Sequence, residues 1–454
     1  MNSTFFNFFS KQIVLTLLIV SFLFTLFIPF FSIIYSDNPY QINLANYFIK
    51  NATYFSVLTF LSQFIYAKTI LVFGDYFIVL KLLNSLFVFF TVYTPLLLFY
   101  KKIDTKKYIL FATIALFLFL PFSRLSIGWD AISDFFLIIS VCFFIKYLHN
   151  SNLKYILILS VVITCSIYAK ITNVLLLPFL LVGYIIYTKI NKKHINFKHL
   201  ILFVVCFLIV FNGFLFFFFN APLEYYSNLK GNEDLNDSYT VLGLLERVYN
   251  HLKFGIKPLV VFVFYYLVFI KFSSIKHAVY FKILWFLLYV LLVYNYVSIE
   301  RSYYIYVLVL SFSLIGFLFF EVFLNKKIVL QSKFLIVFLL IISFFPTIGS
   351  NTGLTKINLI LYFPLILTLN TFKIEISKYK TFILCTLAYI FILRFFYFID
   401  HQPIYSEYSI NKGKLYPVIS HIGTPKRLEK LDQFLEDKNV NTIYFYGLYV
   451  EYSG

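Results

Sequence analysis

Charged residues are sparse in this sequence, and a small set falls inside or at the edges of long apolar runs: Asp37, Lys81, Arg124, Asp130, Asp134, Lys170, Glu300 and Arg301. A charge in such surroundings is costly, so each is a candidate for chemistry. Asp37, in Ser36-Asp37-Asn38-Pro39-Tyr40, is a carboxylate at a water boundary that could take a proton from an acceptor hydroxyl. The same residues suit a helix start, with an acid at the positive end of the dipole, and on their own they favour that capping role. Arg301, beside Glu300, offers a planar fork matched to phosphate oxygens; a snorkelling anchor or a salt bridge to an acidic neighbour fits it as well. Lys170 sits in a tight turn ahead of Ile171-Thr172-Asn173 and Pro178, where a phosphate contact and a positional anchor are equally reasonable. Asp130, in Gly128-Trp129-Asp130-Ala131-Ile132-Ser133-Asp134, heads an apolar run, which it either caps or joins to Arg124 as an ion pair. Convergence of these groups would bring an acid and several cations to one end of the apolar segments.

The elements that must position them are membrane spans. With 61% hydrophobic residues, 22% aromatic and only 13% charged, the chain holds more apolar surface than a soluble core can bury. A bilayer core of about 30 Å takes roughly 20 apolar residues per helix, which divides the chain into about thirteen spans. They cover 12–35, 75–100, 108–122, 131–148, 155–169, 171–187, 200–219, 258–272, 280–297, 303–324, 334–346, 357–369 and 381–398. Lysines cluster in alternate loops, among them Lys101, Lys102, Lys106 and Lys107, then Lys189, Lys192, Lys193 and Lys198, then Lys326, Lys327 and Lys333. Under the positive-inside rule these loops and the N-terminus are cytoplasmic and the other end faces outward. The formal charge of +18 therefore reads as membrane orientation rather than nucleic-acid binding. The first span is too long for a signal-peptide core and lacks a small-residue cleavage site before Ser36, so it is expected to stay attached.

Three outward segments are long enough to carry structure. Residues 36–74 hold two stretches, 40–50 and 55–73, expected as interfacial helices. Residues 220–257 turn amphipathic, with Val241, Leu244, Leu245, Val248 and Leu252 at helical spacing. Residues 400–454 read as extended chain, a helix opened by Thr424 and Pro425, and a strand over 442–446. The expected fold is an all-α polytopic membrane domain over residues 1–398, followed by a short external α/β segment over 399–454. Cys142, Cys165, Cys206 and Cys385 lie far apart in apolar runs with no ligand spacing, and His149, His194, His199 and His277 flank lysines as solvated loop residues.

In their order along the chain these landmarks resemble the glycosyltransferase C superfamily, specifically the family 39-type branch that contains protein O-mannosyltransferases and the lipid A aminoarabinose transferase. The resemblance covers roughly the first 320 residues. An acid follows the first span (Asp37), and an interfacial helix then leads through Val-Phe-Gly-Asp-Tyr-Phe-Ile-Val-Leu-Lys to the second span, with Lys81 where the family has Arg. Trp-Asp-Ala-Ile-Ser-Asp heads the fourth span, Tyr-Ala-Lys-Ile-Thr-Asn-Val-Leu-Leu-Leu-Pro is similar to the family's Lys-plus-Pro turn, and Glu300-Arg301-Ser-Tyr-Tyr precedes a late span. The family transfers a sugar, with inversion, from a polyprenyl-phosphate carrier to an acceptor outside the cytoplasm. Carried across, Asp37 is the base, Arg301, Lys170 and Lys81 face the carrier phosphate, and Asp130, Arg124 and Glu300 complete the substrate site. Asn38 stands where the family often has a second acid, so a divalent metal is not supported, and no redox cofactor is implied.

The resemblance and the topology together imply a multi-pass enzyme of a bacterial inner membrane. Its partners would be the bilayer, a polyprenyl-phosphate sugar donor and a glycan or lipid-linked acceptor, in the synthesis of O-antigen, capsule or lipopolysaccharide. Two alternatives stand beside it. A polysaccharide repeat-unit polymerase would place its cations in large outer loops, and a lipid-linked sugar flippase would show broken helices near the midplane and a repeat between halves.

Overall fold

The computed structural model describes residues 11–30, 37–51, 59–74, 76–99, 104–116, 128–218 and 328–348 as continuous stretches. It adds scattered positions between 246 and 318 and between 354 and 366, and residues 407–409 and 419–421. Within these the chain is almost wholly helical. The helices are α1 Lys11–Phe27, α2 Asp37–Asn51, α3 Phe60–Phe73, α4 Phe77–Phe99, α5 Thr105–Ile114, α6 Trp129–Asn150, α7 Leu153–Ala169, α8 Leu176–Ile190, α9 Phe197–Phe218 and α10 Leu330–Ile342. Short 3-10 turns, Ile171–Leu175 and Phe345–Thr347, precede α8 and follow α10. Strands β1 Glu407–Ser409 and β2 Ile419–His421 pair antiparallel, with Tyr408 opposite Ser420. The helix expected from Thr424 and the strand expected over 442–446 lie outside the described residues.

Five stretches are long and apolar enough to cross a membrane: Ile78–Phe99, Trp129–Asn150, Ile171–Ile190, Phe197–Phe216 and Leu330–Thr347. The described residues are thus those of a predominantly helical membrane protein. The expected spans 12–35, 108–122 and 155–169 correspond to the shorter helices α1, α5 and α7. Those expected over 258–272, 280–297, 303–324, 357–369 and 381–398 fall wholly or mostly outside the described residues. Of the two stretches expected within 36–74 as interfacial helices, both are helical, as α2 and α3.

Local sequence explains the reversals. The Asp104 carboxylate accepts from the Lys107 N–H at 3.3 Å to open α5, and the Asn152 side chain accepts from the Lys154 N–H at 3.0 Å to open α7. Between α6 and α7, Ser151 takes a left-handed backbone, φ 49°, and its N–H closes the last turn on the Tyr147 carbonyl at 2.7 Å. That reversal lays α7 directly back along α6.

Burial separates the spans by role. Of α6, 72% of the apolar window is inside the protein, against 6% for α9, so α6 is the axis of the bundle and α9 presents its surface outward. The spans alternate in direction, which puts one set of ends among the lysines. There the Tyr147 hydroxyl meets His199 Nδ1 at 3.1 Å, the Tyr187 hydroxyl meets His149 Nδ1 at 3.4 Å, and the Gln331 amide donates to Tyr187. His149 and His199 are therefore not simply solvated, as expected from sequence; they join α6, α8, α9 and α10 at this end. Lys146 lies over the rings of Phe99, Phe143 and Tyr155 at 5.9, 5.8 and 5.6 Å, burying its stem among aromatics.

Midway along the bundle, Phe338 of α10 stacks on Phe179 at 4.9 Å and on Phe144 at 5.3 Å. Gly183 of α8 makes room for it: a Cβ there would stand 2.7 Å from Phe338 Cε2. Because the ring is held on both sides, it has little freedom to retreat. Gly183→Ala is expected to destabilise the protein by about 1–3 kcal/mol through overpacking. Thermal unfolding of the detergent-solubilised protein measures this, and an unchanged midpoint would show that the ring moves aside without cost.

Candidate functional site

The end of α6 opposite the lysine clusters gathers the polar groups. α6 starts at Trp129 after Gly128, whose extended backbone occupies the cap position with no side-chain cap bond. Asp130 is therefore not the cap; it lies in the first turn, where its charge faces the positive end of the helix dipole. Asp134 follows one turn on, on the same face, and is only 3% exposed.

Three elements close over this turn. From α3, Tyr66 is fully buried, and its hydroxyl proton faces both the Gly128 carbonyl at 2.8 Å and Asn84 Oδ1 of α4 at 2.9 Å. Its oxygen accepts the Gly128 N–H at 3.1 Å. Burial raises the Tyr66 phenol above its ordinary value and the Asp130 carboxylate acts in the same direction, so Tyr66 stays a neutral donor. α3, at 14 residues, is too short to span, and it seats on the bundle through Phe60, edge-to-face with Tyr168 at 5.7 Å. The Ser62 hydroxyl approaches the Ala169 carbonyl at 3.5 Å.

From the junction of α7 and α8 come Lys170 and Asn173. Lys170 has an extended backbone and ends α7, its N–H bonding the Ser166 carbonyl at 3.0 Å. Its ammonium donates to the Pro346 carbonyl at 2.8 Å and stands 4.0 Å from Asp130 Oδ1. The Asn173 amide reaches Ser133 Oγ at 2.9 Å, Ser166 Oγ at 3.0 Å and the Ser166 carbonyl at 3.1 Å. It stitches α6 to α7 one turn below Asp130. From α4, Lys81, Asn84 and Ser85 share one helix face and all three are buried, Lys81 to 3%.

Of the residues expected from sequence, Asp134, Lys170 and Lys81 are thus buried at this end of the bundle and Asp130 is partly buried there, with Asp130 and Lys170 4.0 Å apart. Asp37 is the first residue of α2, at the positive end of the helix dipole, and its side chain lies outside the described residues. Two turns further on, Ala45 of α2 enters the same buried cluster as Phe60, Tyr66, Ile132 and Tyr168. Arg124, Glu300 and Arg301 lie outside the described residues. Tyr66, Asn84, Ser133, Ser166 and Asn173 were not expected. Their signal is spacing, since Asn84 follows Lys81 by three, Ser133 lies between the two acids, and Ser166 and Asn173 flank Lys170. Among the described residues no three His, Cys, Asp or Glu side chains come together in a form that could hold a metal ion.

Chemically, the arrangement is a buried, water-poor patch of amides, hydroxyls and paired charges, in which electrostatic interactions are stronger than at an open surface. No protein family, curated protein or solved structure matches the chain.

Tyr66 connects α3, α4 and α6 through one oxygen. Tyr66→Phe removes the hydrogen bonds to the partly buried Gly128 backbone and to Asn84, an expected loss of about 1–3 kcal/mol. Its check is the thermal midpoint beside that of Phe64→Leu, an apolar change in the same helix; equal small effects would mean that the hydroxyl carries no bond of consequence.

Proposed function

We propose that the chain is a membrane glycosyltransferase that moves a sugar from a polyprenyl-phosphate carrier to an acceptor at the outward face of a bacterial plasma membrane, in surface-glycan synthesis. The observation that carries this reading is the burial of Lys81, Asp134 and Lys170, with the partly buried Asp130 beside Lys170, at the end of the helices opposite the lysine clusters. Intramembrane charges mark sites of function by default, and the positive-inside rule assigns the lysine-rich end to the cytoplasm. The order of landmarks, from Asp37 through the Lys170 turn to Arg301, supports the particular chemistry. In full, the reading has thirteen spans, a cytoplasmic N-terminus, and residues 399–454 outside as a small α/β segment.

In this mechanism Asp37 takes the proton from an acceptor hydroxyl as its oxygen attacks the anomeric carbon from the face opposite the carrier. The new glycosidic bond forms as the bond from the anomeric carbon to the phosphate oxygen breaks. The electron pair leaves on the lipid phosphate, and the configuration inverts. Cations at this end oppose the charge that develops on the departing phosphate; Arg301, Arg124, Lys170 and Lys81 are the candidates. Glu300 and Asp130 hold those cations in place or bind sugar hydroxyls. A dry site sharpens both effects, because the developing charge is not shared with water.

Asp37→Asn keeps the size of the side chain and removes the base. In membranes carrying matched amounts of protein, transfer of labelled sugar from a polyprenyl-phosphate donor pool is expected to fall roughly 10²–10⁴-fold. Equal transfer by both forms would leave Asp37 as a helix cap alone. Absence of transfer by the wild type would return the choice to a polymerase or a flippase.

A further inference from the structure

Among the described residues, the buried or partly buried charges at this end form a balanced set, Lys81 and Lys170 against Asp130 and Asp134, so these four together carry no surplus positive charge with which to hold an anion. Lys170 is the best defined of them. Its side chain is 8% exposed and that of Asp130 is 18% exposed, and the ammonium has a neutral acceptor, the Pro346 carbonyl, as well as its counter-charge. These contacts join parts of the chain that nothing local would bring together, since Pro346 is 176 residues away in sequence. They bind the first turn of α6, the α7–α8 junction and the 3-10 turn after α10 into one unit. Asn173, three residues on, repeats the connection between α6 and α7 through Ser133 and Ser166.

We infer that Lys170 is a positioning residue rather than a ligand of the donor phosphate: it neutralises Asp130 and fixes the outward end of α6 against the turn after α10. The inference rests on the transferase reading and narrows it, because it leaves the phosphate to cations outside the balanced set, Arg124 and Arg301. A buried ion pair behaves distinctively under substitution. Removing one partner strands the other charge, whereas removing both restores neutrality.

The test is a double-mutant cycle on the full-length protein in lipid nanodiscs, with Lys170→Gln, Asp130→Asn and the combination, reading thermal midpoint and transfer kinetics against donor concentration. The inference predicts that each single variant lowers the midpoint and that the combination recovers much of the loss. Lys170→Gln should lower kcat while donor KM stays within about twofold of wild type, and Asp130→Asn should restore kcat. A donor KM raised roughly tenfold or more and not recovered in the combination would identify Lys170 as a phosphate ligand and overturn the inference. Additive losses of stability would overturn it too, as would a lowered midpoint with unchanged kcat per folded molecule. Should the wild type transfer no sugar, the transferase reading fails, while the stability cycle still decides whether the pair exists.

Discussion

An ammonium enclosed among apolar helices must find its counter-charge and its acceptors within its own chain, and Lys170 finds both. The architecture at this end of the bundle follows from that constraint. α6 has to present an acid at its first turn, α7 has to stop so that the lysine can leave the helix, and the segment after α10 has to offer a carbonyl. Each condition is met by a different stretch of sequence. Opposing charges in a medium of low dielectric are unforgiving, since a single unpaired group costs more than most packing contacts supply. Two neighbouring polar groups obey the same rule: Tyr66 bonds both backbone polar atoms of Gly128, and Asn173 is enclosed by serines.

The lysine-rich end is built differently. There the lysines line the boundary, and the joints between helices are neutral Tyr–His and Tyr–Gln bonds, while Lys146 lays its stem across aromatic rings. Surface cations orient a membrane protein at little cost, whereas buried ones need a dedicated environment. One end thus carries orientation and the other carries the enclosed polar patch, with a stacked aromatic layer of Phe144, Phe179 and Phe338 between them.

Much of this was legible in the sequence because its causes are local. Long apolar runs, lysine spacing and the polar breaks at Asp104 and at Ser151-Asn152 mark the helices and their reversals, and the helix pair α2 and α3 showed in one-sided apolar patterns. The charged candidates were legible as well, since Asp130, Asp134, Lys81 and Lys170 stand out against their surroundings. What they touch was not. The Pro346 carbonyl belongs to a backbone atom far along the chain, and no side-chain type advertises it. Tyr66 is one of 38 tyrosines, so composition gave no reason to single it out. His149 and His199 looked solvated because they neighbour lysines; their tyrosine partners come from the facing helices α8 and α6. The role of Asp130 changed for a local reason, the extended backbone of Gly128 taking the cap position.

The most direct test of the account is where a lipid-linked phosphate binds. A photoreactive polyprenyl phosphate would be crosslinked to the purified full-length protein in nanodiscs, with and without excess unlabelled polyprenyl phosphate, and the modified peptides mapped. The account predicts competable labelling confined to segments at the outward end, around residues 37–51, 124–134, 168–175 and 298–304. Competable labelling at the lysine-rich end, around residues 146–155 or 187–200, would contradict it.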